Sequence, residues 1–188
     1  MVGASLIWVN TTAYTIGHST RSSEELLALL RDAGVELVAD VRAFPSSRRH
    51  PHFNLRELAR SLEGAGLQYV HLPGLGGRRQ PVEGSPNGGW RERAFQGYAD
   101  HMASNEFLES LAQLEVAARK LATSVMCAEA VWWRCHRRLI ADALLSRGWR
   151  VEHLGIGETR ADHQLPEFAV VEPGGVIKYP PRQTSLLP

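Results

Sequence analysis

The alternation of short strand-like segments with helix-like segments constrains the fold of this 188-residue chain more than any other feature. Apolar and β-branched residues dominate five short runs, at 13–18 (AYTIGH), 35–42 (VELVADVR), 67–73 (LQYVHLP), 122–129 (ATSVMCAE) and 150–155 (RVEHLG). The longer segments between these runs carry leucines at helical spacing. Because strands that alternate with helices pair in parallel through crossover helices, we predict an α/β fold, a mainly parallel sheet flanked by helices in a Rossmann-like three-layer sandwich.

Local signals predict where several helices begin and end. Ser22 and Glu25 have the spacing of a capping box, and Gly34 is placed to end the helix that follows. Asn54 is predicted to cap the second helix. The remaining helices are predicted over 91–120, with a break near residues 104–105, and from near Trp133 to Gly148.

The pattern contains no boundary that would divide the chain. With 44% hydrophobic residues it can bury a sizeable core. We expect one domain over 1–188, with a core at about 13–155 and an irregular C-terminal extension and tail over 156–188. The glycine-rich loop at 74–90 is long enough to be a lid, a binding loop or a disordered segment.

Charge and cysteine content exclude several classes of protein. The formal net charge is only +1, so nothing in the overall charge commits the chain to nucleic acid or to a membrane surface. Arginines nevertheless cluster locally, which allows one strongly basic face. The chain has two cysteines, no secretory pattern and no apolar run of membrane-spanning length, so we expect a cytoplasmic protein with free thiols and no membrane association.

Polar or reactive residues follow each of the five predicted strands. Open parallel sheets bind ligands beyond the carboxyl ends of their strands, so side chains at those ends share one edge. We therefore predict a ligand site there, although any single one of these residues is more often a solvated surface group. The residues at the predicted edge are His18, Asp40, Arg42, His71, Cys127, Glu129 and His153.

Arginines are predicted in the first turns of the helix that starts near Trp133. The N-terminus of a helix is positive, so Arg134, Arg137 and Arg138 there favour a phosphate or carboxylate as a compensating anion. The alternative is that Glu129, Asp40 or Glu92 neutralises them without a ligand. Asp40 and Arg42 likewise either orient a base or a ribose or form an internal salt bridge.

The two cysteines receive different predictions. Cys127 lies at a strand end and stays a site candidate, but six residues separate it from Arg134 and the intervening AEAVWW is too bulky for a phosphatase loop. Cys135 is predicted to pack in the core. No metal or other cofactor is predicted, because seven residues separate the cysteines and His136 on a helix would point about 100° away from Cys135.

Five blocks of the sequence also resemble a known family. TIGHST, DVRAFPSSRRHPHFN, YVHLPGLGGRR, VMCAEAVWWRCHRRLIADAL and the ending QTSLLP are together similar to members of the domain-of-unknown-function-488 (DUF488) family. The resemblance extends from Thr15 to the tail. It implies an α/β fold and a shared site built from these blocks, and it implies no established activity.

These observations favour a small enzyme that acts on a phosphorylated or nucleotide-like ligand, with a link to DNA or RNA metabolism. The catalytic candidates are His18, Asp40, Glu129 and Cys127. The candidates for ligand or anion binding are Ser19, Thr20, Arg42, Ser46, Arg78, Arg79, Arg134, His136 and Arg137. The alternative is a non-catalytic nucleic-acid or nucleotide binding module that uses the same arginines together with stacking tryptophans.

The end of the chain suggests a protein partner. Gln183, Leu186 and Leu187 resemble the short peptide by which bacterial DNA-repair and replication proteins dock on the sliding clamp. Thr184 stands where leucine is common in that peptide. The alternative is that the two leucines pack the tail back onto the protein.

Overall fold

The computed structural model describes residues 11–156 and 160–181, and it contains a six-stranded sheet. The strands are β1 (Thr12–Gly17), β2 (Leu37–Asp40), β3 (Gln68–His71), β4 (Thr123–Cys127), β5 (Arg150–His153) and β6 (Ala161–Asp162). Their order across the sheet is β3-β2-β4-β1-β5-β6; the first five are parallel, and β6 runs antiparallel to β5. The predicted α/β fold with a mainly parallel sheet is therefore confirmed.

The helices cover both faces of this sheet. They are α1 (Ser23–Asp32), α2 (Leu55–Gly64), α3 (Arg93–His101), α4 (Asn105–Ala118) and α5 (Arg137–Leu145). One core joins α1 and α2 to Ile16, Val38 and Met126, and the other joins α3, α4 and α5 to Ala39 and Val125. Every residue of β2 and of β4 is buried. Both strands are covered on both faces, so they lack the regular alternation of apolar and charged residues that a strand with one solvated face shows.

The C-terminal extension is partly regular. It forms an antiparallel hairpin of β7 (Val170–Glu172) and β8 (Val176–Lys178), followed by the fully buried Tyr179, whose hydroxyl donates to Asp142 of α5 at 2.7 Å. The predicted clamp-binding residues Gln183, Leu186 and Leu187 lie outside the described residues. In the described ranges, no helix has the length and apolar composition needed to cross a membrane.

The strand order creates a crevice at the carboxyl edge of the sheet. β1 is followed by α1, which packs on one face, whereas its neighbour β4 is followed by α5, which packs on the other. Adjacent strands whose following helices lie on opposite faces leave a gap between their carboxyl ends, where open α/β sheets bind ligands. Of the residues predicted at the strand ends, His18 follows β1, Cys127 ends β4 and Glu129 follows it, so these three flank the gap.

Two helix predictions need correction. A 3-10 turn at Trp132–Arg134 and an extended Cys135 (φ −122°, ψ 145°) precede α5, so this helix begins at Arg137 and not near Trp133. Asn54 occupies the N-cap position of α2, but its side-chain oxygen accepts from the backbone N–H of Ser47 at 2.5 Å and leaves the helix amides uncapped. At Asn54 the contact with Ser47 of the preceding loop overrides the local capping signal.

The loop at 74–90 is folded against α3. The Asp100 carboxylate accepts hydrogen bonds from the backbone of Val82 and from the side chains of Ser85 and Asn87. Asn87 in turn accepts from the backbone N–H of Tyr179 at 2.9 Å. These hydrogen bonds pack the loop against α3, so it is not a disordered segment.

The predicted capping box of α1 is present, and its removal should have a measurable cost. The Ser22 hydroxyl accepts from the Glu25 N–H at 3.2 Å, and the Glu25 carboxylate accepts from the Ser22 N–H at 2.7 Å. We expect Ser22→Ala to lower the free energy of unfolding by about 1 kcal/mol in urea denaturation. Ser23→Ala, one residue further on, is the control and should change it by less than about 0.5 kcal/mol. Equal losses would contradict the capping role.

Candidate functional site

Two chain segments meet backbone to backbone at the crevice. The amides of His18 and Ser19, after β1, donate to the carbonyls of Cys127, the last residue of β4, and of Ala128, which follows it, both at 2.9 Å. A Cβ atom at Gly17 would lie 1.8 Å from the Glu129 carbonyl oxygen. Only glycine allows this approach, so Gly17 fixes the distance between the two segments.

Arg137 holds the segment after β4 from the other side. Its side chain is fully buried and donates to the backbone carbonyls of Glu129 and Ala130 at 2.5 and 2.8 Å. The guanidinium therefore binds the protein's own backbone where the sequence predicted an external anion. Arg137 at the start of α5 therefore has a structural role, because its hydrogen bonds hold the loop after β4 in its conformation.

A cavity of about 910 Å³ opens beside these segments. Three guanidinium groups line it, from Arg78, Arg134 and Arg138. The carboxylates are Glu92 and Glu129, the aromatic rings are Trp90, Phe95, Tyr98 and Trp133, and the remaining reactive groups are Cys127, Cys135 and His136. Basic, aromatic and nucleophilic side chains thus share one concave surface at the carboxyl edge of the sheet.

The arginines of this cavity have no carboxylate partner in the described part of the chain, although the guanidinium of Arg138 lies over the rings of Trp90 and Trp132. None of the ion pairs formed there involves Arg78, Arg134 or Arg138. The buried Nε atoms of Trp90 (Nε1) and Arg138 have no hydrogen-bond acceptor among the described residues. Buried donors are normally satisfied, so these atoms call for an acceptor from outside the protein, such as water or an anion.

A second cavity, of about 300 Å³, adjoins the first. The two share Gly77, Arg78, Cys127, Ala128 and His136, and the smaller one adds Arg42 and Ser46 to its lining. Cys127 and His136 therefore lie where the two cavities meet.

Cys127, Cys135 and His136 form a compact cluster. His136 Nδ1 lies 3.7 Å from each of the two sulfur atoms, and all three atoms lie within 4.8 Å of one another. The prediction that His136 points away from Cys135 is wrong, because His136 precedes α5 and Cys135 is extended. A hydrogen bond with Cys135 lowers the pKa of the Cys127 thiol, and this contact and burial raise the pKa of Cys135.

His18, Asp40 and Arg42 form a closed, buried network. Arg42 donates to the Asp40 carboxylate from Nε at 2.9 Å and from Nη2 at 2.6 Å, and the Tyr69 hydroxyl donates to it at 2.9 Å. His18 lies between Arg42 Nη1, at 3.2 Å, and the Ser19 carbonyl, at 3.0 Å. Burial, together with the charge of Arg42, lowers the pKa of His18 to about 4. The internal salt bridge anticipated as the alternative is the one formed.

The remaining predicted residues are distributed around the site. Arg79 makes two hydrogen bonds to the Glu106 carboxylate, at 3.1 and 3.2 Å, and so is neutralised within the protein. Ser19 has a left-handed backbone (φ 50°) in the turn after β1, and Thr20 is exposed beside it. His71 contacts the Arg42 carbonyl at 2.8 Å.

His153 and the tryptophans lie in packed surroundings. His153 contacts the hydroxyl of Thr15 at 2.6 Å and the ring of His163 at 3.0 Å, and Trp132 stacks on it at 4.1 Å. Trp90 is buried against Phe95, Phe168 and Tyr179. Of Trp90, Trp132 and Trp133, the tryptophans that could stack on bases, only Trp133 is exposed, at 42%.

Two reactive residues of the larger cavity, Arg138 and Cys135, were not among the predicted site residues, although Arg138 was noted with the arginines near the start of the last helix. Arg138 follows Arg134 at a spacing of four, and its guanidinium lies 4.8 Å from the centre of the Trp90 ring. Cys135 was assigned to packing, and it is buried, but it also contacts His136. The adjacency of Cys135 and His136 in the sequence was the available signal for this contact. The prediction of a continuous helix from near Trp133 concealed it.

The family comparison covers this site. The model of the domain of unknown function DUF488 matches residues 22–144, which is more than half of the chain. The chain belongs to the DUF488 family. In this DUF488 protein every residue that lines the larger cavity lies within the matched range. The comparisons found no match among curated proteins and none among solved structures.

Proposed function

We propose that this DUF488 protein is a small enzyme that acts on a phosphorylated, nucleotide-like ligand bound in the larger cavity. The observation that carries the proposal is the convergence of Arg78, Arg134 and Arg138 on that cavity, without a carboxylate partner in the described ranges. Guanidinium groups match phosphate oxygens bidentately. A cavity of about 910 Å³ is in the size range of small-molecule sites.

The aromatic lining supports a ligand with a planar part. Trp133 presents an exposed ring at the cavity, and Arg134 follows it directly in the chain. An indole face stacks on a nucleobase and contributes about 1–3 kcal/mol per base. A ligand whose phosphate binds the arginines and whose base stacks on Trp133 is nucleotide-like. Such a ligand is either a free nucleotide or one nucleotide of a DNA or RNA strand.

The catalytic part of the proposal rests on Glu129 as the acid or base, and Cys127 stays a candidate residue of the site. Both residues line the larger cavity, and Glu129 is an exposed carboxylate two residues after the end of β4. His18 and Asp40 are withdrawn into the buried network with Arg42, so they position the edge of the sheet instead of contacting the ligand. A link to nucleic-acid metabolism and docking on the sliding clamp through Gln183, Leu186 and Leu187 remain further parts of this proposal.

Arg134→Ala should weaken nucleotide binding about tenfold or more, because a charge-assisted hydrogen bond contributes roughly 1.5–3 kcal/mol. The measurement is calorimetric titration with a panel of nucleoside mono-, di- and triphosphates, preceded by a thermal-shift screen. Arg48→Ala, an exposed arginine outside the cavity lining, is the matched control and should bind as the parent protein does. Loss of affinity in both variants, or in neither, would contradict an arginine site in this cavity.

The same ligands separate an enzyme from a binding module. With any nucleotide that is turned over, Glu129→Gln should retain binding and lose turnover. If no ligand of the panel is converted while Arg134 still governs a salt-sensitive affinity, the protein is a non-catalytic nucleotide or nucleic-acid binding module.

A further inference from the structure

The cluster of Cys127, Cys135 and His136 has the composition of a metal site. Two thiols and one imidazole offer three ligand atoms, and these lie within 4.8 Å of one another. Sulfur and imidazole nitrogen are the donors that zinc prefers in proteins, and two cysteines with one histidine are a known catalytic ligand set. From these residues we propose that the protein binds one zinc ion, with the fourth coordination position open to the larger cavity. This proposal does not depend on the identity of the organic ligand.

The distances between the donor atoms fit a tetrahedral ion. With Zn–S bonds of about 2.3 Å and Zn–N bonds of about 2.0–2.1 Å, a sulfur and a nitrogen on adjacent tetrahedral vertices lie about 3.6 Å apart. The observed separations from His136 Nδ1 are 3.7 Å to Cys127 Sγ and 3.7 Å to Cys135 Sγ. The two sulfur–nitrogen distances therefore fit a shared ion, and the two sulfur atoms lie within 4.8 Å of each other.

The second nitrogen of His136 fixes the ring in the orientation that coordination requires. His136 Nε2 lies 3.3 Å from the carbonyl oxygen of Val41. A carbonyl only accepts, so Nε2 carries the hydrogen and the lone pair of Nδ1 points toward the sulfurs. Metal-binding histidines typically donate from the other nitrogen in this way.

The surrounding backbone leaves room at the coordinating nitrogen. A Cβ atom at Gly77 would lie 2.8 Å from His136 Nδ1, so a side chain at this position would crowd the proposed ligand. Both cysteines are buried, and a divalent ion with two thiolates and a neutral imidazole has no net charge. A neutral centre avoids the large cost of placing an unpaired charge in the protein interior.

The three ligands also indicate where the open position lies. Cys127, Cys135 and His136 all line the larger cavity, whereas only Cys127 and His136 line the smaller one, so the vertex without a protein ligand is assigned to the larger cavity. Structural zinc sites are closed by four protein ligands, whereas catalytic sites keep one position for water or substrate. The proposed ion is of the second kind, and it would place a Lewis acid beside the arginines.

The test is titration of the reduced, metal-free protein with cobalt(II), which gives coloured complexes where zinc is silent. We expect one equivalent to produce a thiolate-to-cobalt charge-transfer band and the intense visible bands of tetrahedral cobalt, and zinc to displace it. Cys127→Ser, Cys135→Ser and His136→Gln should each weaken binding more than the roughly 10–100-fold caused by loss of an outer-shell partner. Circular dichroism shows which variants fold.

Two controls keep this result separate from the nucleotide proposal. Glu129→Gln and Arg134→Ala alter the same cavity without removing a donor atom, so both should retain the cobalt spectrum. In the parent protein, bound zinc should also protect both thiols from alkylation, a readout that needs no variant. Absence of the charge-transfer band in the reduced protein, unchanged affinity in Cys135→Ser, or binding of copper(I) with no binding of cobalt or zinc would overturn the assignment.

Discussion

Gly17→Ala should lower the free energy of unfolding by about 3 kcal/mol, at the upper end of the usual cost of overpacking. The added Cβ would lie 1.8 Å from the Glu129 carbonyl oxygen and 2.7 Å from its carbonyl carbon. Both are backbone atoms, and Arg137 holds the same carbonyl, so the clash is not relieved by rotation of a side chain. Urea denaturation followed by circular dichroism measures the change.

Gly64→Ala provides a control of opposite sign. Gly64 is the last residue of α2, and an added Cβ would meet no atom within 4 Å. Alanine is favoured over glycine in a helix by roughly 0.5–1 kcal/mol, so this variant should be as stable as the parent protein or more so. Similar stabilities for Gly17→Ala and the parent protein would show that the two segments at the crevice are free to separate.

The free energy of unfolding should fall by roughly 4 kcal/mol between pH 6.5 and pH 4.5, because two buried histidines stay neutral in the folded protein. Burial and Arg42 lower the pKa of His18 to about 4. Burial, followed by the charges of His163, Arg137 and Arg138, lowers the pKa of His153 to about 3. Both groups have an ordinary pKa of 6.5. The unfolded chain therefore takes up more protons in this window, and stability is complete only above pH 6.5.

Denaturation curves at intervals across that window measure the slope of stability against pH. The unfolded parent chain takes up one extra proton at each of these two histidines, and His18→Gln and His153→Gln each remove one of those uptakes. Each variant should therefore have a shallower slope of stability against pH than the parent protein, whatever its stability at pH 7.5. A parent protein with equal stability at pH 6.5 and pH 4.5 would show that neither histidine is held neutral.

Local signals predicted the parts of the fold that depend on local structure. The capping box at Ser22 and Glu25 and the five parallel strands all follow from spacing and composition. The position of β4 between β1 and β2 does not, because it depends on pairing between segments that lie far apart in the chain. That pairing is what brings the residues after β1 and β4 to one crevice.

The site was predictable only in outline. Predicted strand ends indicated the edge at which the larger cavity lies, and Cys127 and Glu129 line that cavity. Which arginines stay available to a ligand depends on side-chain pairing, which the sequence does not determine. Arg79 pairs with Glu106 and Arg137 binds backbone carbonyls, whereas Arg134 lines the cavity. The contact between Cys135 and His136 required a break before α5 that helical periodicity does not reveal.

The position of β4 also governs the order in which the sheet can be completed during synthesis. β1 and β2 emerge from the ribosome first, yet they do not pair with each other; each pairs with β4, which is made after more than half of the chain. Until Thr123–Cys127 is available, β2 has only β3 as a partner and β1 has none of the strands made so far. Closing such distant contacts is entropically costly and slow. The residues that form the cavity thus come together late, in the same step that joins the two halves of the sheet.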